Sequence, residues 1–279
     1  MKAKFLVWLA ALLLSLAGDL VHSPICSGEE VEQLYNMSFD DWSMSSNAWL
    51  PYSEQASAKE KTTWSSSNII SAASLKRNNT LPEDVKVVSS GKAAKLMSQY
   101  MVIKFAAGNL FTGEIHGAVK HNHIVVDMAW GVPYSDRPSS LRGAYCYQPV
   151  PIDCVDALHR DMKGKMDIGQ IQVFLADWDV DNVWDGYEPG TIDSQGRFHV
   201  RSSSPQRIDV DHDPSVIGYG TFEFSDWMDS YEEFEIPIRY RSDRTPKVIA
   251  IVCTSSKYGD SFTGGAGTVL YLDDFFLRK

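Results

Sequence analysis

Hydrophobic and polar positions alternate with a period of two in several short runs of this sequence. Residues 234–240 place aromatic and aliphatic side chains on one face and charged side chains on the other, and residues 171–177 alternate similarly. This period predicts β-strands that are buried on one face. Pro237 assigns its strand to a sheet edge, because proline has no N–H to donate to a neighbour. Residues 248–253 and 269–272 are apolar at nearly every position, which predicts central strands.

Helical periodicity is weak, and residues 155–165 are the only helix candidate, with Gly164 limiting its length. Many short strands with Gly, Pro, Asn, Asp and Ser between them predict an all-β sandwich or barrel. Neither a repeat nor a linker interrupts residues 34–279, so we expect one domain there. Residues 19–33 are polar and without periodicity, which predicts a leader or tether.

The N-terminus resembles a secretory signal peptide. Two lysines, Lys2 and Lys4, precede an apolar run at residues 5–16, which small residues follow. The run is shorter than the roughly 20 apolar residues of a membrane-spanning helix. We therefore expect cleavage after Ala17 or Gly18 and an exported protein with no transmembrane segment. The residues before Cys26 do not fit a lipoprotein signal, which favours an unlipidated chain.

The charge balance narrows the range of partners. The formal net charge is −10, and the signal peptide contains two lysines and no acidic residue, so the mature part is more acidic still. Such a chain is repelled by phosphate backbones and anionic lipids, which disfavours nucleic-acid and membrane-surface partners. In an oxidising compartment, Cys146 and Cys154 could form a disulfide, whereas Cys253 in an apolar strand is expected to be a buried thiol.

Five segments together resemble a known family. They are residues 39–42, 106–113, 130–147, 216–222 and 246–276. Their order and their sequences resemble the "Putative carbohydrate metabolism domain" (PCMD) family of exported proteins from Gram-negative gut bacteria. The resemblance implies a β jelly roll like those of carbohydrate-binding modules, a role in glycan capture or use, and a location in the periplasm, at the outer-membrane surface or outside the cell. It supplies no catalytic residues.

Candidate ligand-binding residues come from two of these segments. Sugars present apolar C–H faces ringed by hydroxyls, so their sites combine aromatic rings with hydrogen-bonding groups. Trp130, Tyr134 and Arg137 lie in a Pro- and Gly-rich stretch, and Tyr258 and Asp260 lie in the glycine-rich C-terminal motif. We predict that they form the walls of one glycan site. The alternatives are that the rings belong to the core and that Arg137 fixes its loop.

A calcium loop is one candidate metal site. Carboxylates occupy positions 1, 3, 5, 9 and 12 of a twelve-residue segment, as in known calcium loops. These residues are Asp177, Asp179, Asp181, Asp185 and Glu188. Against this site, a predicted strand enters the segment, and acidic loops match by chance in an acidic protein.

A second candidate metal site pairs the start and the end of the domain. Asp40 or Asp41, together with Asp273 or Asp274, resembles the acids that hold a structural calcium in many jelly-roll binding modules. Asp273 and Asp274 point to opposite faces of a strand, so one of them is expected to be buried and to need a partner. The sequence therefore suggests a structural calcium ion, and no cofactor is required.

Two local expectations concern the C-terminal motif. Its glycines predict a tight turn between residues 257 and 267 with at least one positive φ, and the strand ending at Phe276 should lie close to Phe39. The Gly259-Asp260-Ser261 sequence imitates a hydrolase motif, but only 18 residues follow Ser261 and none is histidine. We reject that interpretation.

The first hypothesis is therefore a non-catalytic glycan-binding module that works beside glycan-degrading enzymes or transporters. A glycoside hydrolase or lyase on the same jelly-roll scaffold is one alternative, and a structural surface or adhesion protein is another. Exposed aromatic rings along a groove would favour binding, two facing carboxylates in a cleft would favour an enzyme, and a flat face with neither would favour a structural protein.

Overall fold

The computed structural model describes residues 31–101, 104–120, 124–177, 198–201 and 213–279. The strands in these ranges are β1 (Ser43–Ser45), β2 (Ala48–Leu50), β3 (Trp64–Ser65), β4 (Thr80–Glu83), β5 (Ala93–Met97), β6 (Gln99–Met101), β7 (Lys104–Ala106), β8 (Asn109–Lys120), β9 (Ile124–Trp130), β10 (Val132–Pro133), β11 (Ser140–Gln148), β12 (Gly169–Ala176), β13 (Phe198–Arg201), β14 (Val216–Phe224), β15 (Glu232–Pro237), β16 (Arg239–Tyr240), β17 (Val248–Thr254) and β18 (Val269–Arg278). The helices are α1 (Ala58–Lys61) and α2 (Asn68–Leu75), and short 3-10 turns cover Arg160–Met162 and Gly259–Ser261.

Two antiparallel sheets make up the body of the protein. The large sheet has the order β13-β9-β8-β17-β12-β14-β16, with β3 also paired to β8 and β10 to β17. The small sheet has the order β15-β11-β18-β5-β4, and two hairpins, β1-β2 and β6-β7, stand outside both sheets. The predicted all-β jelly-roll sandwich is confirmed. β17 is central and β15, with Pro237, is at an edge, as expected from their sequences.

The core lies between the two sheets. Ile171, Val173 and Leu175 alternate along β12 and belong to one buried cluster with Leu141 of β11 and Leu272 of β18. Burying an aliphatic side chain of this size stabilises the fold by about 1.5–3 kcal/mol. The period of two in the sequence therefore marks the face of each strand that points towards the other sheet.

The segment around Phe39 packs on the last strand, as predicted. The Phe39 and Phe275 ring centroids are 5.0 Å apart, and the backbone N–H of Phe275 donates to the Met37 carbonyl at 2.8 Å. Phe39 itself precedes β1 and has a φ of 56°. This part of the chain therefore meets β18 as a turn rather than as a neighbouring strand.

A β-bulge in β18 determines where its two aspartates point. The pairing of β11 with β18 shifts between Arg142 and Ala144, and Asp274 has a φ of 49°. Asp273 is consequently buried, whereas Asp274 is exposed. Gly143 accommodates the bulge, because a Cβ at this position would lie 2.4 Å from the Phe275 ring.

The N-terminal boundary differs from the expected one. Val31 is buried in the main core, and the Gln33 side chain donates to the Leu277 carbonyl and accepts from the Leu277 N–H, both at 2.8 Å. Residues 31–33 of the expected tether therefore belong to the domain.

The helix and disulfide expectations also need correction. The 155–165 segment contains only the 3-10 turn at Arg160–Met162, whereas α1 and α2 were not predicted. Both Cys146 and Cys154 are free thiols, because the Cys146 side chain turns into the core and its Sγ donates to the Met228 carbonyl. No helix within the described ranges is long and apolar enough to cross a membrane.

Candidate functional site

The face of the large sheet that points away from the core, here called the outer face, carries a group of polar side chains. Gln170 of β12 lies opposite Glu223 of β14, and Gln172 lies opposite Thr221. Residues that are directly opposite share a face of the sheet. Because Ile171 and its alternate neighbours face the core, Gln170 and Gln172 point outwards.

Hydrogen bonds connect these outward-pointing side chains. The Gln170 amide donates to a Glu223 carboxylate oxygen at 2.8 Å, and the Lys257 ammonium lies 2.7 Å from the same carboxylate. The Gln172 amide donates to the Tyr219 hydroxyl at 3.1 Å. We call Gln170, Gln172, Tyr219, Glu223 and Lys257 the polar row. These contacts hold the side chains in one arrangement on a solvent-facing surface.

The other half of the outer face is apolar and buried. Its members are Phe174, Ala176, Val216, Val248 and Ala250, with Trp130, Tyr219 and Val252 packed against them. The Trp130 and Phe174 ring centroids are 6.4 Å apart at 53°. Trp130 and Tyr219 are half-buried rings at the margin of this cluster, and Tyr219 also belongs to the polar row.

The first group of predicted ligand residues lies near the start of β17. Tyr134 is buried, and its hydroxyl donates to the Glu32 carbonyl at 2.9 Å. Arg137 donates to the Ser242 carbonyl at 2.8 Å and to the Arg244 carbonyl, and its guanidinium lies over the Tyr240 ring. These contacts attach the loop that follows β10 to the segment around Glu32 and to the 242–244 loop. Trp130 is the member of the group that reaches the outer face.

The second group lies beyond the other end of β17. The Tyr258 ring is 4.6 Å from the His159 ring, and Asp260 is exposed in the Gly259–Ser261 turn. Val248 pairs with Pro133, whereas Thr254 is the last residue of β17. At about 3.4 Å per residue, these two ends are about 20 Å apart. The two predicted groups therefore do not meet as walls of one compact site.

Asp167 is a buried carboxylate that was not predicted from the sequence, and its hydrogen bonds fix the loop that contains Tyr258. Asp167 accepts hydrogen bonds from the Ser256 hydroxyl at 2.6 Å, the Gly265 N–H at 2.7 Å and the Thr268 hydroxyl at 3.0 Å. Burial raises the pKa of Asp167 despite these donors. Gly267 in the same loop has a φ of 113°, so the predicted turn with a positive-φ glycine is confirmed.

One calcium candidate falls almost entirely outside the described ranges. Asp177 is described, and its carboxylate lies 2.5 Å from the Arg244 guanidinium. Its predicted partners Asp179, Asp181, Asp185 and Glu188 lie outside those ranges.

The other calcium candidate is described in full. Asp273 is 2% exposed and accepts the Val88 N–H at 2.8 Å and the Asp274 N–H at 2.9 Å. Asp40 accepts the Lys92 N–H at 2.8 Å. Burial, together with the charges of Asp274 and Asp40, raises the pKa of Asp273 to about 6. The expected buried aspartate is thus present, and its partners are backbone amides.

These carboxylates supply oxygen donors of the kind that calcium takes. Calcium takes six to eight oxygens, however, and several lone pairs here already accept amide hydrogens. Among the residues that the structure describes, no three His, Cys, Asp or Glu side chains are grouped closely enough to hold a metal ion.

The two antiparallel sheets define a β-sandwich protein. The model of the family described as "Putative carbohydrate metabolism domain" matches residues 38–278, so the chain belongs to that family. No curated protein matched the sequence.

Solved structures share the fold at low sequence identity. A "putative glycoside hydrolase" from Bacteroides thetaiotaomicron is 19% identical, covers 90% of this chain and 72% of its own, and has a TM-score of 0.62. A "putative glycoside hydrolase" from Bacteroides vulgatus is 17% identical, covers 88% of this chain and 97% of its own, and has a TM-score of 0.59. A family 16 carbohydrate-binding module matches more loosely, at 8% identity over 72% of this chain and 86% of its own, with a TM-score of 0.32.

Proposed function

We propose that this protein binds glycans and that the polar row on the outer face of the large sheet is the centre of its binding site. The observation that carries the proposal is the set of fixed amide, carboxylate and ammonium groups around the half-exposed ring of Tyr219. Membership of a carbohydrate metabolism family supports the choice of ligand class.

The chemistry of the polar row suits sugar hydroxyls. Each hydroxyl both donates and accepts, and the row offers amides that do both, a carboxylate that accepts and an ammonium that donates. Mutual hydrogen bonds already order these side chains, so less conformational entropy is lost when a ligand binds. The Tyr219 ring offers an apolar surface for the C–H face of a sugar.

The predicted ligand residues Trp130, Tyr258 and Asp260 fit this proposal as the ends of a longer site. Trp130 borders the outer face at one end of β17, and Tyr258 and Asp260 follow Lys257 at the other. A surface of this length suits an oligosaccharide more than a single sugar. We further propose that the protein is exported and acts beside glycan-degrading enzymes or transporters.

The experiment is a glycan array with the chain from residue 19 onwards, followed by calorimetric titration of the best ligand. A Gln170→Ala, Gln172→Ala double variant should bind about five- to hundredfold more weakly, since each lost hydrogen bond contributes about 0.5–1.5 kcal/mol. Glu233→Ala is the matched control, because Glu233 is an exposed side chain on β15 of the small sheet.

Two results would contradict the proposal. One is an array with no bound glycan, and the other is equal affinity in the wild type and the double variant. Cleavage of a bound oligosaccharide by the wild type would instead support the glycoside hydrolase or lyase alternative.

A further inference from the structure

A pocket of about 100 Å³ lies at the β3 edge of the large sheet. Side chains from several elements line it, among them Tyr52, Lys61, Ser65, Ile69 and Glu114. We call it the edge pocket. It shares no residue with the polar row.

The edge pocket forms where β8 changes partner. β3 pairs with β8 at Ser65 opposite Phe111 and at Trp64 opposite Thr112, and from Gly113 onwards β8 pairs with β9. Gly113 has a φ of 128°, and a Cβ there would lie 2.0 Å from the Ala129 carbonyl oxygen. No side chain can therefore stand on Gly113, which is one of the residues that line the pocket.

Ser65 gives the pocket an unusual polar group. Ser65 is 4% exposed, and its hydroxyl is buried and has no hydrogen-bond partner within the protein. Ser65 lies opposite Phe111, which lies opposite Val252, so it belongs to the same outer face as the polar row. A buried polar group without a partner costs free energy and is rare in folded proteins.

We infer that the edge pocket binds a terminal sugar residue of the glycan that the polar row holds, with the Ser65 hydroxyl as a direct contact. This inference rests on the proposed function. The remaining lining groups fit a neutral, hydroxylated ligand. Lys61 donates once to the Glu54 carbonyl, at 2.8 Å, and has two further N–H groups. Glu114 contributes acceptors, and Ile69 offers an apolar wall.

Tyr52 adds a hydroxyl that both donates and accepts, and burial raises its pKa above the ordinary value. A ligand of a single charge would meet both Lys61 and Glu114, one of which would repel it. A sugar ring, which carries no charge and presents donors and acceptors around its rim, avoids this conflict.

The size and position of the edge pocket fit the terminal sugar of a glycan. A closed cavity of about 150 Å³ is enough for a benzene ring, so the smaller, open edge pocket takes a pyranose ring in part. β3 is three strand spacings from β12 across the sheet, or about 14 Å at about 4.8 Å each. An oligosaccharide that reaches both sites would cross β8 and β17, and its end would enter the pocket.

The test uses methyl glycosides of common hexoses, N-acetylhexosamines and uronic acids as probes, with saturation-transfer NMR on the chain from residue 19 onwards. We expect a signal from at least one probe. Ile69→Trp, at a 37% exposed position of the rim, should abolish it, whereas Val88→Trp, at a 44% exposed position of the small-sheet side, should leave it unchanged. A complete lack of signal, or a signal that survives in Ile69→Trp, would overturn the inference.

A pair of serine variants separates binding from stability. Ser65→Ala should weaken probe binding about two- to tenfold and leave the melting temperature unchanged or raised, because its hydroxyl has no partner to lose. In Ser71→Ala, a buried hydroxyl that donates to the Arg77 carbonyl at 2.9 Å is lost, so its melting temperature should fall while its affinity stays the same. Equal affinity in wild type and Ser65→Ala would contradict the assigned contact.

The two proposals can fail separately. Glycan binding that depends on Gln170 and Gln172 but not on Ser65 and Ile69 would overturn only the edge pocket. An array without any bound glycan, together with no signal from the probes, would overturn the proposed function and with it the role inferred for the edge pocket.

Discussion

Asp273 predicts a pH dependence of stability that can be measured directly. Asp273 is 2% exposed, and the pKa of its carboxyl is raised from an ordinary value of 3.8 to about 6, first by burial and then by the charges of Asp274 and Asp40. Because the folded protein binds this proton more tightly than the unfolded chain does, the contribution to stability is fully present below pH 3.8. It is lost as the pH rises through about 6.

The size of the effect follows from the two pKa values. A difference between 3.8 and about 6 corresponds to about 3 kcal/mol in the free energy of unfolding, as an order of magnitude. Asp273→Asn removes the titrating group and keeps the shape of the side chain. The wild type should therefore lose most of this, about 2.4 kcal/mol, relative to this variant between pH 4 and pH 7.

The assay is urea unfolding of both proteins at half-unit steps from pH 4 to pH 7.5, in the presence of EDTA. Other titrating groups act equally on both proteins, so the difference between the two stability curves isolates Asp273. Asp274→Asn is the control, since Asn tolerates a positive φ, and it should leave a smaller pH dependence by removing one of the repelling charges. Parallel curves for the wild type and Asp273→Asn would refute the reasoning.

Three further predictions concern the metal, the Tyr258 loop and the bulge. If calcium binds through Asp40 and Asp273 or through the loop from Asp177 to Glu188, adding calcium after EDTA should raise the melting temperature. The expected stabilisation is about 2.7 kcal/mol in the free energy of unfolding when free calcium is at 100 times its dissociation constant. An unchanged melting temperature would exclude both sites. Asp167→Ala leaves three or more buried donors without an acceptor, so we expect the free energy of unfolding to fall by about 3 kcal/mol or more. Chemical denaturation measures this, and an unchanged midpoint would contradict the prediction. Gly143→Ala places a Cβ 2.4 Å from the Phe275 ring and should cost about 1–3 kcal/mol by overpacking, seen as a lower melting temperature; an unchanged one would mean that the ring moves freely.

The sandwich could be predicted from the sequence because its strands are short, bounded by turn residues and buried on one face. Residues 171–176 and 234–237 show the period of two directly, and residues 248–253 show the apolar run of a central strand. The two helices could not be predicted in this way. α1 has only four residues, and its start is set by a local capping box, in which Ser57 and Glu60 exchange hydrogen bonds.

The candidate site was harder to find, because its members come from two strands and a loop that the sequence does not pair. Gln170 and Glu223 are 53 positions apart and become partners only through the register of β12 with β14. One signal was available: Gln170 and Gln172 are polar positions in a strand that is otherwise apolar. In a fully covered central strand both would be costly to bury, so they mark a part of the outer face that remains accessible.

Tyr219 explains why the polar row and the apolar half of the outer face belong together. Its ring packs against the buried cluster that contains Phe174, while its hydroxyl accepts a hydrogen bond from Gln172. A ring fixed at both ends loses little rotational freedom when a ligand stacks on it, which raises the affinity gained from the same contact area. Trp130 packs against Phe174 in the apolar half of the outer face. We therefore expect the sugar ring that contributes most to affinity to stack on Tyr219, where the apolar surface and the hydrogen-bonding groups meet.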